Sequence, residues 1–225
     1  ISLMCKDIDV LVNKNRVNAV KWAEKQNKKY DCIILDDAFQ HRSIHRVFNI
    51  LLINTTQNMK SYPPKGDLRE PFNNIQRADC LIITKGNQDK KSLSPFTDQF
   101  NGPIFRTSSS FQISGRKNIN QGVSFCGIAS PQLFLETLNK LGINSKDHID
   151  FKDHQKYDKK TLDSIEQMLE KNNETVFFTT LKDWVKLPKK FLNQYTGLCV
   201  DMSLSMDRTV DWEQFKKMIS MRIQQ

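Results

Sequence analysis

Asp36 to Arg46 (DDAFQHRSIHR) gathers two carboxylates, an amide, two imidazoles and two guanidinium groups in one short run. It follows a continuous apolar stretch, Asp31 to Leu35 (DCIIL), which reads as a strand buried on both faces of a parallel sheet. In open α/β sheets ligands collect beyond the carboxyl ends of the strands. A carboxylate on a rigid strand tip can face nucleotide-bound magnesium, and arginines beside it can take phosphate oxygens two at a time. Asp36 and Asp37 are therefore candidate magnesium holders, with Gln40, His41, Arg42 and Arg46 around them. A plainer reading makes the two acids a solvated turn that caps a helix. A third reading takes Asp36, Asp37, His41 and His45 as ligands of a metal-dependent phosphohydrolase, the histidines lying one helical turn apart.

Three more polar clusters share the pattern. Gly66 to Pro71 (GDLREP) follows Pro63 and Pro64 and sets Arg69 and Glu70 on a stiff turn, or else simply starts a helix. Phe151 to Tyr157 (FKDHQKY) offers Asp153 and His154, which could act as a base with its orienting carboxylate or be no more than a helix cap. Thr179 to Leu187 (TTLKDWVKL) presents Lys182 and Asp183, whose plain reading is a solvated helix start.

The elements that must carry these clusters follow from the hydrophobic pattern. Short apolar runs at residues 31–35, Phe48 to Ile53, Cys80 to Thr84 and Pro103 to Arg106 predict four buried strands, preceded by a helix over Val17 to Lys25. A second series predicts a strand at Val123 to Gly127 and a helix at Pro131 to Leu141, capped by Ser130 and stopped by Gly142. A strand at His148 to Phe151, a helix at Lys159 to Lys171 and a strand at Thr175 to Thr180 continue it. Gly197 to Leu204 alternates like a half-exposed strand, and Trp212 to Ile223 has helical periodicity. This predicts an α/β protein: an open parallel sheet with a second, smaller α/β domain. The boundaries fall at 1–112, 113–198 and 199–225, with strands 105–113 and 198–204 pairing as a two-stranded hinge.

Composition narrows the partners. The 225 residues carry a formal charge of +9 and 38% apolar residues, enough for a core and suited to a polyanionic neighbour. The lysines are scattered and not interleaved with aromatic stacking platforms, which weighs against a nucleic-acid-binding module. Five separated cysteines, 5, 32, 80, 126 and 199, form no C-x-x-C pair and read as reduced core residues. No apolar run reaches the roughly 20 residues that a spanning helix needs.

In their order along the chain, the clusters resemble the tetraacyldisaccharide 4'-kinase family. DDAFQHR is similar to the family's DDGFQHR, with Ala38 in place of glycine, and GDLREP to its GPLREP, with Asp67 in place of proline. FCGIASPQLF (Phe125 to Phe134) resembles FCGIA-x-P-x-x-F, and FKDHQKY resembles F-x-DH-x-x-F/Y. TTLKDWVKL is similar to TTEKDAVKL, with Leu181 where the family has glutamate. The resemblance implies a P-loop kinase fold, ATP and Mg2+ as cofactors, and transfer of phosphate to the 4'-hydroxyl of an acylated glucosamine disaccharide 1-phosphate in lipid A biosynthesis. It implies Asp36 and Asp37 on the metal and His154 assisting deprotonation of the hydroxyl. Asp36, Gln40 and Arg69 would lie near the nucleotide, and His41, Arg42, Arg69 and Glu70 near the acceptor. It also implies peripheral attachment to an anionic membrane surface, the cytoplasmic face of the bacterial inner membrane. The pattern G-x-x-x-x-G-K-[ST] occurs nowhere in these residues. The phosphate-binding loop and an aspartate partner for the histidine are expected ahead of Ile1, and these 225 residues by themselves are expected to be inactive.

Overall fold

The computed structural model describes residues 7–54, 61–66, 68–84, 94, 96–114 and 119–224. Cys5, Asp67 and most of the polar stretch before Gly122 lie outside them. The chain divides into two compact units: residues 1–108 with 205–225, and residues 109–204.

In the first unit β1 (Ile50–Asn54), β2 (Cys80–Thr84) and the start of β3 (Ile104–Ser114) run parallel, Ile50 opposite Cys80 and Leu81 opposite Ile104. All five residues of β2 are buried, as a continuous apolar run in a parallel sheet requires. Leu81 and Ile83 pack with Ile53, Ile75, Phe96 and Phe100. Cys80 and Ile82 face the other way, with Phe105 and Phe215. Phe215 belongs to α6 (Thr209–Ile223), so the terminal helix docks on its own unit. Helix α1 (Arg16–Glu24) starts one residue before its predicted position, with the Asn15 side chain accepting from the Asn18 amide.

One predicted strand does not form. Residues 31–35 belong to no strand among the described residues, and Ile33 and Ile34 are 46% and 85% exposed. A strand exists only where a neighbour takes its backbone hydrogen bonds, so apolar composition alone does not create one.

The second unit orders its parallel strands β5 (Asn144–Asp150), β4 (Gln121–Cys126), β6 (Val176–Thr180) and β7 (Thr196–Met206). Val123, Phe125 and Phe177 meet α3 (Lys159–Lys171) through Ile165, Met168 and Leu169. Cys126, Phe178, Leu198 and Val200 meet α2 (Pro131–Lys140) through Phe134 and Leu138. Phe111 and Ile113, from the far half of β3, join this second cluster. The Asp158 carboxylate caps α3 by accepting from the Thr161 amide at 3.0 Å. The Ser130 side chain caps nothing, although α2 begins where predicted; Pro131 at its first position supplies the start. The short helices α4 (Leu181–Trp184) and α5 (Lys189–Gln194) connect β6 to β7. Of the predicted core cysteines, Cys80, Cys126 and Cys199 are buried free thiols, whereas Cys32 is exposed beside the unpaired 31–35 segment.

Gly197 on β7 and Gly142 after α2 make opposite demands. A Cβ on Gly197 would lie 2.3 Å from Trp184 and 2.4 Å from Phe177, whereas at Gly142 nothing lies within 4 Å and only its φ of +72° needs glycine. Gly197→Ala should therefore cost about 1–3 kcal/mol through overpacking, and Gly142→Ala about 1 kcal/mol through the backbone. Urea unfolding curves of the two variants check the order; a milder Gly197→Ala would contradict the packing.

Candidate active site

In the first unit the motif residues sit on turns. Residues 36–47 contain no helix, so His41 and His45 do not stack one turn apart. Among the described residues, Asp36, Asp37, His41 and His45 do not gather as a set of possible metal ligands. The helical spacing of the two histidines that the phosphohydrolase reading invoked is therefore not present.

Asp37 adopts a left-handed φ of +46°, a conformation that a non-glycine residue holds only when its surroundings impose it. Those surroundings are cations. Arg69 Nη1 donates to both carboxylate oxygens of Asp37, at 2.7 and 2.9 Å, and Arg16 donates to the carbonyls of Asp36 and Asp37 at 3.0 and 3.3 Å. Arg46 donates to the carbonyls of Ala38 and His41 and, at 2.6 Å, to Asn49. Glu70 is held by Arg77 and by Asn74 at 2.7 Å, while the Arg77 guanidinium lies 4.5 Å from the Phe39 ring centre. The two motifs of this unit thus meet through Arg69–Asp37 and through Arg77, which joins Glu70 to Phe39. Ala38 is buried between them, and Asp36, Gln40 and Arg42 remain exposed, with His41 half-buried. The Asp37–Arg69 pair is about two-thirds exposed on both sides. It adds little stability there and exchanges readily with other ions.

In the second unit His154 has a φ of +62° and a side chain 80% exposed. Its amide donates to Asp153 Oδ1 at 2.9 Å, but its Nε2 stands 3.8 Å from Asp153 Oδ2, too far for a hydrogen bond. Asp153 pairs instead with Lys182, whose hydrogen bond holds its carboxyl below the usual carboxylate range. An ionised Asp153 thus fixes the backbone of His154 and leaves the imidazole free.

Beneath this loop lies a residue that sequence reasoning misjudged. Asp183, read as a solvated helix start, is fully buried. It accepts from the Gly127 amide at 2.8 Å, from Thr180 Oγ1 at 2.8 Å and from Lys186 Nζ at 3.0 Å. The Thr180 hydroxyl in turn accepts from the Asp183 amide at 3.2 Å. Threonine followed three residues later by an acid is a capping-box pattern, and that signal was present in the sequence. Burial, and then the charge of Asp183, push the Tyr157 phenol upward. Gly127, Tyr157 and Asp183 come from three separate motifs and form one buried polar centre. Leu181, in place of the family glutamate, is half-buried at the start of α4.

Comparison with known proteins places the chain in a family. The family model for tetraacyldisaccharide-1-P 4'-kinase matches residues 2–224. The tetraacyldisaccharide 4'-kinase of Chlorobium phaeobacteroides is 32% identical over 201 residues, covering 81% of this chain and 56% of the relative. That of Bdellovibrio bacteriovorus is 28% identical over 203 residues, covering 82% and 59%. The solved structure described as the "apo" form of LpxK from Aquifex aeolicus in complex with ATP aligns with a TM-score of 0.59 at 27% identity, over 84% of this chain and 56% of that one. The chain therefore spans little more than half the length of the relatives it matches.

Replacing Asp183 by alanine would leave the Lys186 ammonium and the Gly127 amide without their buried acceptor. We expect a loss of about 3–5 kcal/mol, the usual cost of breaking a buried pair, against less than about 1 kcal/mol for Asp37→Ala at its exposed pair. Chemical denaturation of both variants tests this; equal effects would refute the ranking.

Proposed function

Since this chain belongs to the tetraacyldisaccharide 4'-kinase family, we propose that it forms the larger part of an ATP-dependent kinase acting on the 4'-hydroxyl of the lipid A precursor, an acylated glucosamine disaccharide 1-phosphate. The observation that carries this reading is a single family match running through both units and taking in both polar clusters. Phosphoryl transfer asks for positioning and charge neutralisation rather than covalent chemistry, and these clusters supply such groups.

Each residue has a role under this reading. Asp36 and Asp37 hold magnesium, which would neutralise the β- and γ-phosphate oxygens when bound. The donor set fits: two adjacent exposed carboxylates, one of them already facing a cation. Arg69, which here pairs with the Asp37 carboxylate, would be available to phosphate oxygens if that carboxylate held the metal. Gln40, His41 and Arg42 border nucleotide and acceptor, and Glu70 keeps the Arg69 loop in place through Arg77. The exposed His154 imidazole takes the proton of the 4'-hydroxyl as its oxygen bonds to the γ-phosphorus and the bond to the ADP oxygen breaks.

These residues hold no phosphate-loop pattern, so the 225-residue chain assayed by itself should show no turnover. In a protein joining them to such a loop, phosphate transfer from labelled ATP to tetraacyldisaccharide 1-phosphate should be measurable. There His154→Ala should lower kcat by about 10²- to 10⁴-fold while changing ATP affinity little. An unchanged kcat would remove His154 from the chemistry, and turnover by the 225-residue chain would overturn the need for the loop.

Membrane association has its own support. No helix among the described residues is long and apolar enough to cross a membrane. The +9 charge suits attraction to anionic headgroups and to the substrate phosphate. In flotation assays, binding to vesicles containing anionic lipid should weaken as salt rises; equal binding to neutral vesicles would refute an electrostatic mode.

A further inference from the structure

The second unit contains a polar cluster that the kinase reading does not use. On the paired strands β4 and β5, Ser124 lies opposite His148, and Cys126 lies opposite Asp150. Cys126 Sγ is 3.8 Å from His148 Nε2, which is 2.7 Å from Asp150 Oδ1. One ligand atom from each of the three residues falls within 4.8 Å of the others.

The protons of this cluster can be followed. Ser145 Oγ donates to the Asp147 carbonyl at 2.9 Å, so it must accept from Ser124 Oγ, 2.6 Å away. The single proton of Ser124 is then spent, and Ser124 Oγ accepts from His148 Nδ1 at 2.6 Å. The chain of hydroxyls thus fixes the proton on Nδ1 and aims Nε2 at a carboxylate. The Nε2 lone pair and a carboxylate oxygen 2.7 Å from it converge on one point where a cation can sit. Ordering the far nitrogen of a histidine through a hydrogen bond is also how metal-binding histidines are held. Ser124, His148 and Asp150 follow one another like a hydrolytic triad, but Ser124 and Cys126 are both fully buried, which shuts out a bulky substrate and leaves the side of the exposed Asp150 as the way in for an ion.

We propose that Cys126 Sγ, His148 Nε2 and an Asp150 carboxylate oxygen form a site for a divalent cation of borderline softness, with zinc(II) the best match. Thiolate, imidazole and carboxylate are its usual donors, and three protein ligands leave a fourth position for water. Tetrahedral zinc with ordinary bond lengths places sulfur and nitrogen ligands ~3.6 Å apart, close to the separation present, and nitrogen and oxygen ligands ~3.4 Å apart. The His148–Asp150 contact must therefore open slightly, which the exposed Asp150 side chain permits. Binding would displace the thiol proton of Cys126 to solvent, and the cation would bond to Sγ and to the Nε2 lone pair. Cys126 directly precedes Gly127, and Asp150 precedes the 151–157 loop that carries His154. The ion would clamp the ends of β4 and β5 from which both segments depart.

The test uses cobalt(II) as the probe on the 225-residue chain, in a Cys5→Ser, Cys32→Ser background so that neither Cys5 nor the exposed Cys32 contributes sulfur. We expect one ion per chain and a thiolate-to-cobalt absorption band, abolished in Cys126→Ser. Asp150→Asn, at an exposed position that should not disturb folding, and Ser124→Ala should each raise Kd by about 10- to 100-fold. X-ray absorption of the zinc-loaded chain should show one sulfur ligand. Failure to retain cobalt in equilibrium dialysis would overturn the site. So would an adduct that survives unchanged in both Cys126→Ser and Asp150→Asn, or a zinc spectrum without sulfur.

Discussion

The architecture of the second unit turns on one buried anion. A carboxylate inside a protein is tolerated only when its oxygens are matched by donors, and Asp183 has three of them, at two strand ends and in the turn after α4. Satisfying it fixes the end of β4 through Gly127, the end of β6 through Thr180, and the first turns beyond β6 through Lys186. Gly127 leaves little room in this arrangement. An added Cβ would stand 3.1 Å from the Lys152 carbonyl and 3.2 Å from Asp183, so the loop toward His154 packs directly on the glycine backbone. The exposed, reactive part of the unit rests on a layer that cannot relax without leaving a charge unpaired.

Both residues proposed for the chemistry, Asp37 and His154, occupy left-handed backbone conformations that cost of order 1–3 kcal/mol each. Each is stabilised locally by polar contacts. Asp37 receives Arg69 on its carboxylate and Arg16 on its carbonyl; His154 gives its amide to Asp153, itself ionised by Lys182. These contacts bind backbone and charge while leaving exposed the side chains that must meet ligands. Strain and exposure at the same positions separate a reactive loop from an ordinary turn, which would relax.

Some of this was legible in the residues. The continuous apolar run of β2 and the capped, periodic α3 formed where the pattern placed them, because burial on two faces and an aspartate cap are local properties. The 31–35 run had the same composition as β2 and formed no strand, since pairing depends on neighbours that composition does not encode. β5 was longer than expected: Asn144 to Asp147 are polar, and their half-exposed alternation on the end of the sheet hides a strand within ordinary loop chemistry. Asp183 was misjudged for a related reason. A Thr-x-x-Asp pattern announces a cap but not its burial, and burial here is decided by Gly127 and Lys186 arriving from elsewhere. The clusters were therefore visible as chemistry, whereas their supports became visible only in three dimensions.

Under the proposed function, the two units would contribute different groups to phosphoryl transfer. The first unit concentrates charge: its carboxylates and guanidinium groups form exposed, exchangeable pairs suited to a metal ion and phosphates. The second sets an exposed imidazole, His154, above a buried polar network around Asp183. The chain passes between them twice, within β3 and within β7. Each of these strands also belongs to a core: Phe105 to that of the first unit, and Phe111, Ile113, Leu198 and Val200 to that of the second. The connections are thus extensions of packed strands rather than loose linkers, and each core holds one end of both.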